Sequence, residues 1–245
     1  MENLPAKNLT DRYTAVWNEP NADARRATVA ALWTPDGATL HRLIEARGYS
    51  ALEARVAGAY EKWVRDKGYV FRPRGNAVAH HDMVKFNWEM GPPAGGEIVS
   101  VGLEYCFLET DGRIRCAYQF IVPGAPASAE VSALVERYLA VWNESDSDAR
   151  RRQIAELWAE DGAHVLPSSE IRGLEAIEAE ITRTYDAAGA KGFAFSAHNV
   201  EGHHDVVRFD WEMRPAGGGE AVTAGSTLLV LDADSRVRRD YQFDA

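Results

Sequence analysis

An internal repeat constrains the fold of this chain more than any other feature of its sequence. Residues 13–19 (YTAVWNE) return as residues 138–144 (YLAVWNE), at an offset of 125 residues. The segments LW, DGA, HHD, WEM and YQF also occur twice, in the same order. Because this offset exceeds the roughly 20–50-residue period of solenoid repeats, one duplication of a whole domain is indicated. We predict repeats over residues 1–122 and 130–245, joined by a Pro/Ala/Gly-rich linker over residues 123–129.

Within each repeat, helical periodicity comes first and strand periodicity follows. Each repeat has three stretches in which apolar residues recur at helical spacing before the strands begin. In the second repeat, the first of these stretches contains Val135, Tyr138, Leu139 and Trp142. The spacing then changes to two, with Val84, Phe86, Trp88 and Met90 separated by polar residues. Each repeat therefore predicts three helices followed by an antiparallel sheet.

The last two strands of the first repeat allow a prediction of register. Asp111-Gly112 is typical of a two-residue hairpin turn, which would pair Glu104 with Gln119 and Tyr105 with Tyr118. One sheet face is then mixed in polarity, and we predict that the helices cover it and close a pocket. The other face is aromatic, and we predict that it packs against the other repeat. Cys106 and Cys116 fall on opposite faces, which predicts no disulfide between them.

Composition excludes several classes of partner. The chain has 27 basic and 37 acidic residues, a net charge of −10, which disfavours binding to nucleic acid or to anionic lipid. No apolar run approaches the roughly 18–20 residues of a membrane span, and residues 1–5 lack the apolar core of a signal peptide. Two cysteines cannot build a disulfide framework, so we expect a cytoplasmic protein.

Three motifs of the second repeat carry a family resemblance: residues 137–143 (RYLAVWN), Leu157-Trp158 with Asp161-Gly162, and residues 203–211 (HHDVVRFDW). They resemble the SnoaL-like branch of the nuclear transport factor 2-like fold, and the first repeat carries matching segments. The resemblance implies an α+β architecture of two cone-shaped units, each with three helices on a curved, mostly antiparallel sheet. It also implies that the units pair through their sheet faces as a pseudo-dimer.

The resemblance implies acid/base chemistry in the cone, without a cofactor or metal. Tyr13 and Tyr138 match the first-helix tyrosine of ketosteroid isomerases, and the general-base position of those enzymes holds His41 and Leu166. The position of their second acid holds Glu104 in the first repeat. Thr227 takes that position in the second repeat, where Asp240 matches the last-strand aspartate of SnoaL-like cyclases.

Each of these residues also has a structural interpretation. The tyrosines could be core residues, and His41 could face solvent beside Arg42. Glu104 could pair with Arg115 on the neighbouring strand, and Asp240 could pair with Arg238 or Arg239. The paired histidines, His80-His81 and His203-His204, are adjacent along a strand and cannot chelate one ion together, so we predict turn or capping roles. We predict no metal site.

Aromatic and polar residues on the predicted pocket face are candidates for ligand contact. Flat aromatic walls favour a hydrophobic, ring-containing ligand. The predicted ligand-binding residues are Trp17, Trp33, Phe86, Trp88, Gln119, Trp142, Trp158, Phe209, Trp211, Thr227 and Gln242.

Three functions remain open at this point. The first is a cofactor-independent cyclase, isomerase or lyase that acts on a hydrophobic, secondary-metabolite-like molecule in one of the two pockets. The second is a non-catalytic small-molecule binding or accessory protein, which the missing carboxylate base favours. The third is a structural interaction module.

Overall fold

The computed structural model describes residues 4–244, so Met1–Asn3 and Ala245 lie outside the description. The chain divides into two compact units that separate between Gly124 and Ala125. Across residues 4–244, no helix has both the length and the apolar character needed to cross a membrane.

Over residues 4–124, the first unit has three helices and seven strands. The helices are α1 (Leu4–Asn18), α2 (Ala22–Leu32) and α3 (Tyr49–Ala59), and α3 continues into a π-helical turn (Tyr60–Arg65). The strands are β1 (Trp33–His41), β2 (Ile44–Arg47), β3 (Val70–Pro73), β4 (Val78–His80), β5 (Met83–Gly91), β6 (Ser100–Leu108) and β7 (Ile114–Val122).

The second unit repeats this order with one fewer strand. Its helices are α4 (Ala129–Asn143), α5 (Ser147–Leu157) and α6 (Leu174–Ala187), and a short 3-10 turn (Gly189–Lys191) follows α6. Its strands are β8 (Trp158–Leu166), β9 (Ser169–Arg172), β10 (Phe193–His203), β11 (Val206–Pro215), β12 (Thr223–Leu231) and β13 (Val237–Asp244). The long strand β10 takes the place of β3 and β4 together.

Both units share one sheet topology. The first sheet has the order β2-β1-β7-β6-β5-β3, with β4 also paired to β5, and the second has the order β9-β8-β13-β12-β11-β10. The last strand of each unit lies parallel to its first strand, and all other pairs are antiparallel. The predicted α+β class, with three helices on a curved, mostly antiparallel sheet in each unit, is confirmed.

The predicted register between β6 and β7 is confirmed, because Glu104 pairs with Gln119 and Tyr105 with Tyr118. The predicted two-residue turn is wrong. A bulge shifts the ladder beyond Phe107, and the Glu109 amide donates to the Arg113 carbonyl at 2.8 Å, across three intervening residues. Gly112 lies in this loop with a φ of 82°, a left-handed conformation that favours glycine. Cys106 and Cys116 are both free thiols.

The repeated Trp-Asn motif at the end of the first helix attaches that helix to the edge of the sheet. The Asn18 side chain donates to the Phe71 carbonyl and accepts from the Phe71 amide, both at 2.8 Å. Asn143 makes the same pair of hydrogen bonds with Phe195 in the second unit. Because both backbone groups of one edge residue are held, the adjacent tryptophan is fixed beside the sheet.

A repeated aromatic cluster forms the centre of each core. The Tyr13 ring lies 5.4 Å from the Trp33 ring and 5.3 Å from the Phe86 ring, measured between centroids. In the second unit, Tyr138 contacts Trp158 and Phe209 at 5.4 Å each. Aromatic pairs at this spacing stabilise a core beyond their simple burial. The tyrosine of each first helix is therefore anchored against the sheet.

The paired histidines form turns, as predicted. His81 and His204 have φ values of 55° and 53°, and each lies between two antiparallel strands that it connects. Over residues 4–244, no group of three or more histidine, cysteine or acidic side chains is arranged to hold a metal ion.

Candidate active site

A cavity lies between the helices and the sheet in each unit. The cavity of the first unit has a volume of about 420 Å³ and is lined by Tyr13, Thr14, Trp17, His41, Ile44, Arg55, Ala59, Lys62, Trp63, Phe71, Trp88, Met90, Val99, Ser100, Gln119 and Ile121. The cavity of the second unit has about 190 Å³ and is lined by Tyr138, Leu139, Trp142, His164, Leu166, Glu180, Thr184, Phe195, Phe209, Trp211, Thr227, Gln242 and Asp244. Both are therefore largely apolar, with a few polar groups.

In the second unit, a fully buried carboxylate lies behind the cavity wall. Asp240 is on β13, where it is the direct neighbour of His164 on the parallel strand β8. Its Oδ2 atom accepts from the Tyr138 hydroxyl at 2.6 Å and contacts His164 Nδ1 at 2.8 Å. Its Oδ1 atom accepts from the side-chain amide of Gln242. The carboxylate thus joins three side chains that themselves line the cavity.

The protonation of His164 follows from this arrangement. An ionised aspartate only accepts hydrogen bonds, so the contact with Asp240 requires a proton on Nδ1 of His164. In a neutral imidazole, the lone pair is then on Nε2. His164 also lies against the Trp142 ring, at 5.3 Å between centroids. The dyad therefore has the form of a general base whose tautomer and orientation are set by a buried carboxylate.

Tyr138 and Gln242 complete the network around Asp240. Gln242 Nε2 lies 3.0 Å from the Tyr138 hydroxyl oxygen, and Gln242 Oε1 accepts from Thr227 at 3.0 Å. Burial raises the pKa of Tyr138 well above its ordinary value, and the nearby charge of Asp240 adds to the rise. Tyr138 therefore stays protonated at neutral pH and keeps donating to Asp240.

The first unit also holds a fully buried carboxylate, but on a different strand. Oε1 of Glu104, on β6, accepts from Trp88 Nε1 at 2.9 Å and from Gln119 Nε2 at 2.7 Å. Gln119 Oε1 in turn accepts from Arg55 Nη2 at 2.7 Å. Burial raises the pKa of Glu104 to about 7, although the Trp88 and Gln119 hydrogen bonds and the Arg55 charge oppose the rise. Protonated and ionised Glu104 are therefore both populated near neutral pH.

Several buried polar atoms around Glu104 lack a hydrogen-bond partner within the described residues. They include Glu104 Oε2, the Tyr13 hydroxyl oxygen and Trp17 Nε1. The Tyr13 hydroxyl is close enough to lower the pKa of Glu104, yet it does not reach full hydrogen-bond geometry. Unpaired groups of this kind are costly in a core, and because Tyr13 and Trp17 line the cavity, a ligand there can supply a partner to their donors.

The two carboxylates occupy exchanged positions in the repeat. At an offset of 123 residues, Glu104 corresponds to Thr227, and Asp240 corresponds to Ala117. At an offset of 125 residues, His164 corresponds to Thr39. Each unit therefore keeps one buried carboxylate bonded to the same glutamine of the last strand, but the aspartate–histidine pair exists in the second unit alone among the described residues.

The proposed pairing of Glu104 with Arg115 is wrong, and Asp240 contacts Tyr138, His164 and Gln242. Arg115 is half-exposed and pairs with Glu109 at 3.1 Å and with Asp82 at 3.7 Å instead of Glu104. The side chain of Asp240 is fully buried in the core, whereas Arg238 is exposed. Arg239 donates to the Tyr241 hydroxyl at 2.9 Å.

Most predicted ligand-contacting residues line a cavity, but three do not. Trp33, Trp158 and Phe86 are almost fully buried and pack in the helix–sheet cores. Their small exposed area results from the aromatic clusters around Tyr13 and Tyr138. His41 and Leu166 both line cavities, at the ends of β1 and β8. The Nδ1 atom of His41 accepts from the Leu43 amide at 3.3 Å.

Two important residues were not predicted from the sequence. His164 lies in a run of four buried residues on β8, residues 162–165, and its parallel pairing with β13 brings it to Asp240. Arg55 lies one residue before the buried Val56 of α3, and only the position of this helix over the sheet brings it to Gln119.

Comparisons with known proteins found one matching family and several similar solved structures. Residues 135–239, within the second unit, match the family model of the SnoaL-like domain. A candidate isomerase of the SnoaL-like family from Agrobacterium tumefaciens is 26% identical over 48% of this chain and 99% of its own, with a TM-score of 0.45. A candidate SnoaL-like polyketide cyclase from Jannaschia sp. is 20% identical over 49% of this chain and 90% of its own, with a TM-score of 0.38. A search of curated proteins found no match.

Proposed function

Because the second unit is a SnoaL-like domain with a buried carboxylate behind its cavity, we propose that this chain is a cofactor-independent acid/base enzyme. The proposed substrate is a hydrophobic small molecule, and the proposed reaction is of the cyclase, isomerase or lyase type. The observation that carries this proposal is the contact of Asp240 with two cavity-lining side chains, Tyr138 and His164.

In the proposed mechanism, Nε2 of His164 removes a proton from a carbon atom next to a carbonyl group. The carboxylate of Asp240 stabilises the imidazolium that forms, and it holds the ring in one orientation. His164 is therefore the proposed catalytic residue, while Tyr138 and Gln242 position Asp240 through their hydrogen bonds. A positioned general base of this kind accelerates proton transfer by about 10²–10⁴-fold.

The walls of the second cavity favour a compact, apolar substrate. Its aromatic lining consists of Trp142, Phe195, Phe209 and Trp211 around the polar network. Its volume of about 190 Å³ is below the usual range of about 300–1,000 Å³ for ligand pockets. We therefore propose a substrate of one or two rings that carries a carbonyl group.

The proposal can be tested with indanone and tetralone, which are bicyclic ketones with exchangeable protons beside the carbonyl. Exchange of these protons in D₂O is followed by NMR for the wild type and for His164→Gln and Asp240→Asn. We expect the protein-dependent exchange rate to fall by about 100-fold in His164→Gln. His198→Gln is the matched control, because His198 is exposed on β10 of the same unit.

The outcomes separate an enzyme from a binding protein. Equal exchange rates in the wild type and in both active-site variants would contradict the acid/base role of the dyad. Saturable binding of the ketones without any exchange would instead favour the non-catalytic binding protein. That alternative has a specific observation in its favour in the first unit, where Ala117 and Thr39 replace the aspartate–histidine pair.

A further inference from the structure

Two basic side chains enter the cavity of the first unit from the third helix and the turn that follows it. Arg55 on α3 donates to Gln119, and its guanidinium carbon lies 5.6 Å from the centre of the Trp17 ring. Lys62 lies in the π-helical turn, with Nζ 4.5 Å from the centre of the Trp63 ring. Both residues line the cavity. The cavity therefore combines positive charge with flat aromatic walls.

Neither cation forms an ion pair with an acidic side chain in the part of the chain that the structure describes. Arg55 is held by a neutral amide, and its Nε atom is buried without an acceptor among residues 4–244. Tyr13 lines the same cavity, and its buried hydroxyl approaches Glu104 without reaching full hydrogen-bond geometry. Buried donors without acceptors favour a ligand that brings an acceptor, and a guanidinium favours an anionic one.

At the position that corresponds to Arg55, the second unit has an acidic residue instead of a basic one. Val56 corresponds to Ile181 at an offset of 125 residues, and both are buried on the third helix of their unit. In this alignment, Glu180 corresponds to Arg55 and Ala187 corresponds to Lys62. Glu180 lines the second cavity, and so does Asp244 near the end of the last strand. The basic character is therefore specific to the first cavity and is not a general property of the fold.

We propose that the first cavity binds a hydrophobic carboxylic acid, with the carboxylate at Arg55 and Lys62 and the rings between the tryptophans. Arg55 is held in place by Gln119 and by the Trp17 ring, so little conformational entropy is lost when it meets an anion. The volume of about 420 Å³ is within the usual range of about 300–1,000 Å³ for small-molecule sites. This ligand differs in charge from the substrate proposed for the second unit, and the inference is independent of that function.

Naphthaleneacetate and naphthaleneacetamide provide a direct test, because they have the same ring and nearly the same size but differ in charge. Binding of each to the full chain is measured by titration calorimetry. We expect the wild type to prefer the acid, and Arg55→Gln to weaken acid binding by about 10-fold or more. Binding of the amide should change by less than about 2-fold, because glutamine still offers it a polar partner.

Two further variants control for folding and for net charge. Lys62→Gln alters an exposed side chain at the cavity, so it keeps the test valid if Arg55→Gln is misfolded, and it should also weaken binding of the acid selectively. Arg65→Gln removes the same charge from an exposed residue that pairs with Glu61 and Asp66 and does not line the cavity. The proposal is overturned if the wild type binds acid and amide equally. It is also overturned if Arg65→Gln weakens acid binding as much as Arg55→Gln does. A third contradicting result is unchanged acid binding in Arg55→Gln and Lys62→Gln variants that are correctly folded.

Discussion

Replacing Glu104 with glutamine should change how the stability of the chain depends on pH. The pKa of Glu104 is raised by burial from 4.5 to about 7. The folded chain therefore retains a proton that the unfolded chain loses between these two values. Wild-type stability consequently falls as the pH rises through this window, and the loss is complete above the folded pKa. Glutamine does not titrate, and its carbonyl oxygen can still accept from Trp88 and Gln119.

The size of the effect follows from the two pKa values. With 1.36 kcal/mol for each pKa unit, the cost of ionising Glu104 in the fold grows by about 2–3 kcal/mol between about pH 5 and about pH 8. Cys106, Tyr13 and Arg55 interact electrostatically with this site. Of these neighbours, Tyr13 and Cys106 have raised pKa values, so they stay neutral across this window.

Urea unfolding of the wild type and of Glu104→Gln at both pH values measures this difference. The free energy of unfolding of the variant should rise by about 2–3 kcal/mol relative to that of the wild type between the acidic and the alkaline condition. Glu97→Gln, which changes an exposed carboxylate, is the control and should show no such difference. Parallel pH profiles for the wild type and Glu104→Gln would refute the raised pKa and the dry environment behind it.

Two further predictions compare equivalent positions and packing. Tyr138→Phe should lower the free energy of unfolding by about 1–3 kcal/mol, because it removes the donor to the buried Asp240. Tyr13→Phe should lower it by about 0.5 kcal/mol or less, since the Tyr13 hydroxyl has no partner in full hydrogen-bond geometry within residues 4–244. Equal losses in urea unfolding would contradict this asymmetry. Gly102→Ala should cost about 1–3 kcal/mol and shift the tryptophan fluorescence, because a Cβ there would overlap the Trp88 indole; an unchanged spectrum would argue against it.

The fold was predictable because the same pattern of motifs occurs twice in the sequence. The repeat defined the unit, and the change from helical to strand periodicity defined its order of elements. The register of β6 and β7 was also correct, since alternation of side chains fixes which residues share a face. The predicted turn length was wrong because of a bulge beyond Phe107. The bulge leaves the alternation of side chains in the rest of the ladder unchanged, so the sequence pattern did not reveal it. The pairing of the two units through their aromatic sheet faces stays a prediction.

The candidate site was predictable in its carboxylates and in the tyrosines and glutamines around them, but not in His164 and Arg55. Glu104 and Asp240 stand out as acidic residues on a covered face, and this can be inferred from alternation. The two residues that were missed cannot be, because His164 reaches Asp240 through a parallel strand pair, and Arg55 reaches Gln119 from a helix 64 residues earlier in the chain. Local charge was also misleading, since Arg115 pairs with Glu109 and Asp82 instead of Glu104.

The ¹⁵N chemical shifts of the His164 ring, measured by NMR in the wild type and in Asp240→Asn, test the central claim most directly. We predict a neutral imidazole with its proton on Nδ1 in the wild type and a bare Nε2 that responds when indanone is added. Asp240→Asn should disturb this tautomer, while His198 in the same spectrum stays unchanged. A wild-type ring with its proton on Nε2 would contradict the account, because His164 would then lack the lone pair that the proposed proton transfer requires.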